Sequence, residues 1–226
     1  MMETMKQMTQ QGRQIEEDSF SIIDREMNEL HGGHSYSSEQ WQIVRRAIHT
    51  TGDFEYGQLF RFSEDALSSA IDALTKGANI ITDVTMIVSG LSKPRLNHFG
   101  NHARCFISDA SVIEQAKAAG ETRAIHAMRY ARDQGILDGA IIGVGNAPTA
   151  LLELLEMVER GEVKPALIIG IPVGFVRADE SKDLLSKQSK VPFIASLGRK
   201  GGSPLVVSTI HALLALAVSS DKDKVQ

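Results

Sequence analysis

The sequence predicts an α/β fold with three layers, in which a doubly wound, mainly parallel sheet carries helices on both faces. Apolar segments of strand length alternate with helical patterns, most clearly in the second half of the chain. These segments are unbroken rather than alternating with polar residues, as in a sheet that is buried on both faces. Ligands of such sheets bind beyond the carboxyl ends of the strands. The loops expected at this edge follow Val84, Val144, Gly170 and Ala195.

The N-terminal part of the chain is predicted to be helical. Apolar residues recur at helical spacing from residue 14 to residue 30, after a polar leader at 1–12 that we expect to be flexible. A second helix is predicted to begin after Ser37, because Gln40 stands at the matching position of a capping box. Gly52 allows the chain to leave this helix.

The remaining elements alternate along the chain. Strands are predicted at residues 79–84, 104–108, 140–144, 166–170 and 191–195. Helices are predicted at residues 63–77, 111–119, 122–133, 149–159, 179–187 and 204–218. We therefore expect one domain over residues 13–219, followed by a flexible charged tail at 220–226.

The composition is that of an ordinary globular protein with a substantial core. The chain has 226 residues, of which 42% are hydrophobic and 23% charged, and a net charge of -4 argues against a general nucleic-acid binder. A single cysteine, Cys105, excludes an intramolecular disulfide and fits a reducing compartment. No apolar run approaches the roughly 20 residues that a membrane span needs, and no apolar signal core is visible at the N-terminus. We therefore expect a cytoplasmic protein with no nucleic-acid or membrane partner.

His49 stands at the predicted end of the second helix, where a small polar turn begins. Arg45 and Arg46 lie one turn earlier and can share its side of the helix. The helix dipole favours the protonated imidazole, whereas the two arginines oppose it. Such a histidine can exchange a proton near neutral pH. The alternative is a helix-end histidine that only bonds the last carbonyls.

Residues 143–148 predict a tight strand-to-helix turn that resembles the start of a dinucleotide-binding motif. The motif lacks its third glycine, and Pro148 stands near the helix start. Asn146 either caps the following helix or contacts a ligand. A dinucleotide enzyme is therefore a distant interpretation.

The loop at 198–204 has the features of an anion site. Its glycines let the backbone approach a ligand closely, and a helix N-terminus attracts negative charge. Carboxylates and phosphates are both suitable guests, and the alternative is a solvated basic turn. The candidate contacts in this loop are Arg199, Lys200, Gly201, Gly202 and Ser203.

Two further polar residues are weaker candidates from their sequence surroundings. Arg123 opens a helix after Gly120, and an arginine suits bidentate capture of a carboxylate. Taken alone, it also fits a surface charge. Ser19 stands in a helical segment, where the pattern does not distinguish a ligand hydroxyl from an ordinary helical serine.

Two histidine pairs have spacings that occur in metal sites. They are His31 with His34 and His98 with His102. Glycines interrupt both pairs, and no paired cysteines or related metal motif supports them. We therefore predict no metal site and assign these histidines no role.

An ordered set of motifs resembles the precorrin-8X methylmutase family, also called precorrin isomerase, including its cobalt-precorrin-8 branch. Each motif is weak alone, but the set follows the family order over roughly residues 14–212 and is highly specific. The motifs are AIHTTGDFEY at 47–56, ITDVTM at 81–86, GNAPTAL at 145–151, GIPVGFV at 170–176, ESK at 180–182 and GRKGGSP at 198–204.

The resemblance implies a homodimeric α/β isomerase that moves a methyl group from C-11 to C-12 of a corrin precursor. The product is hydrogenobyrinate, or cobyrinate when cobalt is present, and no separate cofactor is needed. The catalytic histidine of the family matches His49, its substrate-contacting serine matches Ser19, and two arginines match Arg46 and Arg123.

These residues suit the chemistry that the resemblance implies. Our hypothesis is that His49 acts as a general acid toward a nitrogen of the tetrapyrrole ring. Arg46, Arg123 and the 198–203 backbone would hold the peripheral carboxylates of this substrate. The macrocycle needs a wide apolar cleft, to which a second subunit can contribute. The alternative is a non-catalytic corrinoid carrier, which would bind the macrocycle without needing His49.

Overall fold

Six strands form a single sheet in the order β1-β6-β5-β4-β2-β3 within the computed structural model, which describes residues 9–223. The strands are β1 (Phe60–Phe62), β2 (Asn79–Thr82), β3 (His102–Arg104), β4 (Ile141–Val144), β5 (Leu167–Gly170) and β6 (Phe193–Ser196). All neighbouring strands run parallel except β1, which pairs antiparallel with β6.

Eleven helices surround this sheet within the described residues. They are α1 (Gln10–Leu30), α2 (Ser38–Thr51), α3 (Tyr56–Leu59), α4 (Ala66–Thr75), α5 (Thr85–Gly90), α6 (Lys93–Asn97), α7 (Ala110–Ala119), α8 (Arg123–Asp133), α9 (Pro148–Glu159), α10 (Ala178–Lys187) and α11 (Ser203–Asp223).

The sheet separates two apolar cores. Ile141 faces one core, to which α2, α4 and α11 contribute, and Ile142 faces the other, to which α8, α9 and α10 contribute. Adjacent residues of a strand point to opposite faces, so an unbroken apolar strand fills both cores. The predicted three-layer α/β fold class is therefore confirmed.

The ends of α2 follow from signals within the helix. The Ser37 hydroxyl accepts a hydrogen bond from the Gln40 amide, and the Gln40 side chain accepts one from the Ser37 amide, as the predicted capping box requires. Gly52 has a φ of 68° and donates its amide to the Ile48 carbonyl. The helix therefore ends where the sequence places its end, and His49 lies in its last turn.

Helix α11 departs from the expectation that no apolar run is long enough to span a membrane. The stretch Ser203–Asp221 is long and apolar enough by length and composition, with a mean hydropathy of 1.6. However, 67% of its apolar window is buried inside the fold. Its hydropathy is accounted for by packing against α2 and α4 at the centre of one core.

Several element boundaries differ from the sequence predictions. The third strand occupies His102–Arg104 rather than 104–108, because the chain turns at Phe106, whose carbonyl accepts the Asp109 amide. Strand β1 is not predicted by the sequence.

Helix α1 begins at Gln10, within the predicted leader, because the Thr9 hydroxyl caps it. The rest of that leader, residues 1–8, lies outside the described residues. Helix α11 continues to Asp223, into the predicted tail.

Candidate active site

A cavity of about 340 Å³ opens between the last turn of α2 and the first turns of α11. It lies at the carboxyl edge of the sheet, because α5 follows β2 and α11 follows β6. Three residues singled out from the sequence line it together, namely Arg46, His49 and Ser203. Its wall also includes Met86 and His211, which the sequence analysis did not select.

The ring of His49 is not used to cap its own helix. The hydroxyls of Thr50 and Thr51 donate to the Arg46 and Ala47 carbonyls, and the Gly52 amide donates to the next carbonyl. These bonds satisfy the carbonyls that a capping histidine would bond. His49 is exposed and meets the Phe20 ring edge to face, with centroids 5.3 Å apart. Its imidazole therefore remains available to a ligand in the cavity.

Arg46 reaches the cavity wall as one member of a mostly buried ion pair. Its guanidinium lies 2.8 Å from the Glu16 carboxylate, and the two side chains are 21% and 16% exposed. Arg45 forms a separate pair with Asp24 at 2.6 Å. Both guanidinium groups lie over the Phe20 ring, at 4.4 and 5.2 Å from its centroid. Helix α1 is thereby fixed to the helix that carries His49.

Ser19 lies beside these contacts but does not line the cavity. It precedes Phe20 and follows Glu16 by one helical turn on α1, so it is close in sequence to both residues that contact Arg46. Its hydroxyl donates to the Ile15 carbonyl at 2.7 Å. In this arrangement the Ser19 oxygen can only accept a further hydrogen bond.

His211 is the titratable residue of the cavity that sequence reasoning missed. Its Nε2 atom accepts the Ser92 amide at 3.0 Å. Burial, reinforced by the positive charges of Arg95 and Arg46, lowers the pKa of His211 to about 4. The ring is therefore neutral at physiological pH. A sequence signal existed, because His211 is the one titratable residue between Ser203 and Val218.

The loop from Gly198 to Ser203 is held mainly by contacts within the protein. The Lys200 ammonium bonds the carboxylates of Asp53 and Glu55, which raise the pKa of the lysine. This pairing connects the loop to the turn that follows His49. Lys200 therefore connects two loops, and its charge is not free to bind an anion.

Two of the three glycines of this loop, Gly201 and Gly202, pack closely against the chain that follows β5. A Cβ atom on Gly201 would lie 2.3 Å from the Ile171 carbonyl oxygen, which is closer than atoms can approach. The Gly202 amide donates to the same carbonyl at 2.8 Å, and the Gly198 amide donates to Asp179 at 3.1 Å. These two amides are therefore engaged within the chain, and the glycines position Ser203 at the cavity.

Arg199 lies outside the cavity, on an exposed apolar segment. Its guanidinium lies 5.4 Å from the centroid of the Phe175 ring, which is 85% exposed. Val173 and Val176 are also exposed in this segment, and Arg177 adopts a positive φ of 62° at its end. The carboxyl edge of the sheet therefore presents exposed apolar side chains close to the cationic side chain of Arg199.

The turn after β4 already holds a carboxylate of the same chain. Asp83, which follows β2, accepts the amides of Gly145, Asn146 and Ala147 at 3.0, 2.8 and 2.7 Å. Burial nevertheless raises the pKa of Asp83, although the three amides act in the opposite direction. A bound pyrophosphate would need these same amides. This arrangement argues against the dinucleotide interpretation. The side chain of Asn146 in the same turn is exposed.

Arg123 lies at the same edge of the sheet but does not line the cavity. It is the first residue of α8, and the neighbouring Thr122 hydroxyl lies 3.0 Å from that of Thr149. Thr149 stands at the start of α9, directly after the turn that follows β4. Arg123 is exposed and forms no ion pair with any residue in the described part of the chain.

His31 and His34, which have the spacing of a metal-binding pair, make separate ring contacts. His31 stacks on Phe54 and His34 stacks on Trp41, with centroids 4.3 and 3.9 Å apart. Residues 9–223 contain no group of three or more side chains placed to hold a metal ion. These contacts give His31 and His34 a packing role in the region around α2.

The sequence of this chain is similar to those of known proteins. The family model for precorrin-8X methylmutase matches residues 14–216. A cobalt-precorrin-8 methylmutase of Leptospira interrogans serogroup Icterohaemorrhagiae serovar Lai (strain 56601) is 47% identical over 94% of this chain and 97% of its own. A cobalt-precorrin-8 methylmutase of Priestia megaterium is 45% identical over 95% of this chain and 92% of its own.

The fold agrees with a solved structure. The crystal structure of precorrin-8X methylmutase from Thermus thermophilus superposes with a TM-score of 0.86 at 48% identity. The match covers 92% of this chain and 98% of that one. Sequence, fold and the ordered motifs therefore agree, and the chain belongs to the precorrin-8X methylmutase family.

Proposed function

We propose that this chain is an isomerase of corrin biosynthesis that moves a methyl group from C-11 to C-12 of precorrin-8X or cobalt-precorrin-8. The product is hydrogenobyrinate or cobyrinate. Family membership supplies the class of reaction. The observation that carries the residue assignment is that the imidazole of His49 lines a cavity while threonines and Gly52 satisfy the end of its helix.

His49 acts as the general acid in this proposal. The migrating methyl breaks its bond to C-11 and forms a bond to C-12 of the same macrocycle, so atoms and electrons balance without an oxidant or a separate cofactor. Protonating a ring nitrogen, or donating a hydrogen bond to it, makes the conjugated path electron-poor and stabilises the rearranged corrin. An exposed histidine on the cavity wall suits this transfer, because it exchanges protons with solvent between turnovers.

The substrate is a polycarboxylate, whereas the protein carries a net charge of -4. Binding must therefore depend on local donors. Arg46 lines the cavity, while Arg123 and Arg199 are exposed at the same edge of the sheet. Lys200 contributes less to substrate binding than its charge implies, because Asp53 and Glu55 neutralise it.

The cavity holds only part of a macrocycle with its side chains, since its volume of about 340 Å³ is at the lower end for ligand pockets. The remainder would lie over exposed apolar side chains at the carboxyl edge of the sheet, of which Met86 is 65% and Phe175 is 85% exposed. Such side chains are typical of an interaction surface. We propose that a second copy of the chain covers them in a homodimer, which light scattering of the purified protein tests.

The substrate carries cobalt in this proposal, because both relatives with 47% and 45% identity are named cobalt-precorrin-8 methylmutases. We place the reaction in the cytoplasm, as the lone cysteine favours a reducing compartment. Burial raises the pKa of the Cys105 thiol, which makes it less reactive and fits a structural role.

The proposal is tested by adding the cobalt-free and cobalt-containing precursors separately and following the visible spectrum. Conversion of either precursor to the corrin spectrum supports the isomerase, and faster conversion of the cobalt form supports the substrate assignment. A stable bound spectrum without conversion would support a corrinoid carrier instead. No spectral change with either precursor would contradict both functions.

A further inference from the structure

We propose that the inner wall of the cavity is a carboxylate subsite, in which the neutral ring of His211 donates its Nδ1 proton to one acetate or propionate of the macrocycle. Arg46 and Arg95 provide the positive potential of this subsite. The inference rests on the proposed function, because it states how one peripheral group of that substrate is held.

The hydrogen bond to Ser92 fixes the tautomer of His211. A backbone amide can only donate, so Nε2 must be the acceptor at 3.0 Å, and the proton of the neutral ring is on Nδ1. No residue between 9 and 223 accepts a hydrogen bond from Nδ1. Nδ1 is also not fully buried, so it has access to solvent. Since His211 lines the cavity, this donor is open to a ligand there.

The charges around the ring favour an anion as that ligand. Arg46 and Arg95 both lower the pKa of His211, and the positive charge of Arg46 also helps lower the pKa of Arg95. Glu16 acts in the opposite direction on Arg95 and forms an ion pair with Arg46. Within the described residues, the two charges that shift the pKa of His211 are both positive, which suits a carboxylate and opposes a cation.

The residues of α11 that line the cavity form a mostly apolar face with His211 at its far end. Pro204, Val207, Ser208 and His211 all line the cavity and recur at the spacing of one helix face. Ser208 uses its hydroxyl proton on the Leu205 carbonyl. This face of α11 is therefore mostly apolar toward the macrocycle, and it ends at the Nδ1–H donor of His211. His49 is exposed and suited to proton exchange, whereas His211 is enclosed and suited to fixed binding.

Two substitutions separate substrate binding from a structural role. In His211→Gln the amide oxygen can take the place of Nε2 and keep the Ser92 contact, but the Nδ1 donor is lost. In His211→Asn the amide nitrogen can take the place of Nδ1, but the side chain is too short to reach Ser92. The measurement is a visible titration of each protein with cobyrinate, accompanied by thermal unfolding.

The subsite predicts that His211→Gln binds cobyrinate about 10- to 100-fold more weakly, the usual loss for a hydrogen bond to a charged group, and that His211→Asn stays near the parental affinity. The reverse order, or parental affinity in both variants, would overturn the subsite while leaving the proposed function intact. A parental chain that neither binds cobyrinate nor converts the precursors would overturn both.

A second measurement needs no variant. With ¹⁵N-labelled histidine, bound cobyrinate should move the Nδ1 proton resonance of His211 downfield and leave Nε2 as an acceptor from Ser92. An unchanged Nδ1 resonance in the saturated complex would contradict the subsite even if His211→Asn did not fold.

Discussion

The Arg46 guanidinium, which lines the same cavity as His49, lies 2.8 Å from the Glu16 carboxylate. This pair joins α1 to α2, and it also sets the charge that a substrate carboxylate meets. Because Glu16 pairs with Arg46, the unliganded protein does not hold this mostly buried guanidinium without a counter-charge.

Replacing Glu16 with glutamine should destabilise the fold by about 1–3 kcal/mol, because it leaves a mostly buried guanidinium without its counter-charge. Urea unfolding at neutral pH measures this loss. Glu17→Gln is the matched control, since Glu17 is the exposed neighbour on the same helix. Equal stability of the two variants would show that the ion pair does not hold α1 in place.

Gly201→Ala should cost more stability than Gly198→Ala within the same loop. The added Cβ at Gly201 meets the Ile171 carbonyl at 2.3 Å, whereas nothing lies within 4 Å at Gly198 and only its φ of 77° opposes alanine. We expect a loss of about 1 kcal/mol at Gly198 and at least about twice that at Gly201. Chemical denaturation of both variants tests the order, and equal losses would contradict the close packing.

The buried position of Lys182 should make the free energy of unfolding depend on pH. It is fully buried and donates to the Lys200 carbonyl, and burial lowers its pKa from 10.5 to about 8. Between pH 8 and 10.5 the unfolded lysine keeps a proton that the folded one has lost, so stability rises with pH in this window. Below this window both states are protonated, and the cost of burying the charge is present in full.

Lys182→Met removes this titration. The unfolding free energy of the parental protein minus that of Lys182→Met should therefore rise across this window, by about 3 kcal/mol when the whole shift is expressed. Urea unfolding at a series of pH values measures the difference, in which the titration of other groups cancels. A flat or falling difference would contradict the buried position of Lys182.

Lys200→Gln distinguishes loop positioning from substrate binding. If Lys200 only connects its loop to Asp53 and Glu55, kcat should fall while KM changes little, and stability should drop by less than about 1 kcal/mol for a partly exposed pair. Lys187→Gln is the control, because it removes an exposed pair within α10. A rise in KM with unchanged kcat would return Lys200 to the role in substrate binding that the sequence predicts.

The parts of the structure that the sequence predicts correctly depend on local signals. Ser37, Gln40 and Gly52 act within a turn of the residues they bond, so the ends of α2 and the position of His49 are readable from the chain. The unbroken apolar strands predict a sheet that is buried on both faces for the same reason. Each of these signals is independent of the remote parts of the chain.

The missed features depend on contacts between distant residues. Strand β1 has three residues and exists through pairing of Phe60 with Ser196. The Ser92 amide that fixes the tautomer of His211 is 119 residues away in sequence, and Lys200 is 147 residues from Asp53. No local pattern reports such pairings, so the neutral state of His211 and the neutralised state of Lys200 follow only from the fold.

The central claim is that His49 supplies the proton for methyl migration. Single-turnover conversion of the precursor by His49→Asn, followed by visible absorbance, tests it most directly, with His102→Gln as a control on an exposed histidine of β3, outside the cavity. We predict that His49→Asn still binds cobyrinate but converts the precursor at least about a hundredfold more slowly, while His102→Gln keeps the parental rate. Conversion by His49→Asn at near the parental rate would contradict the claim.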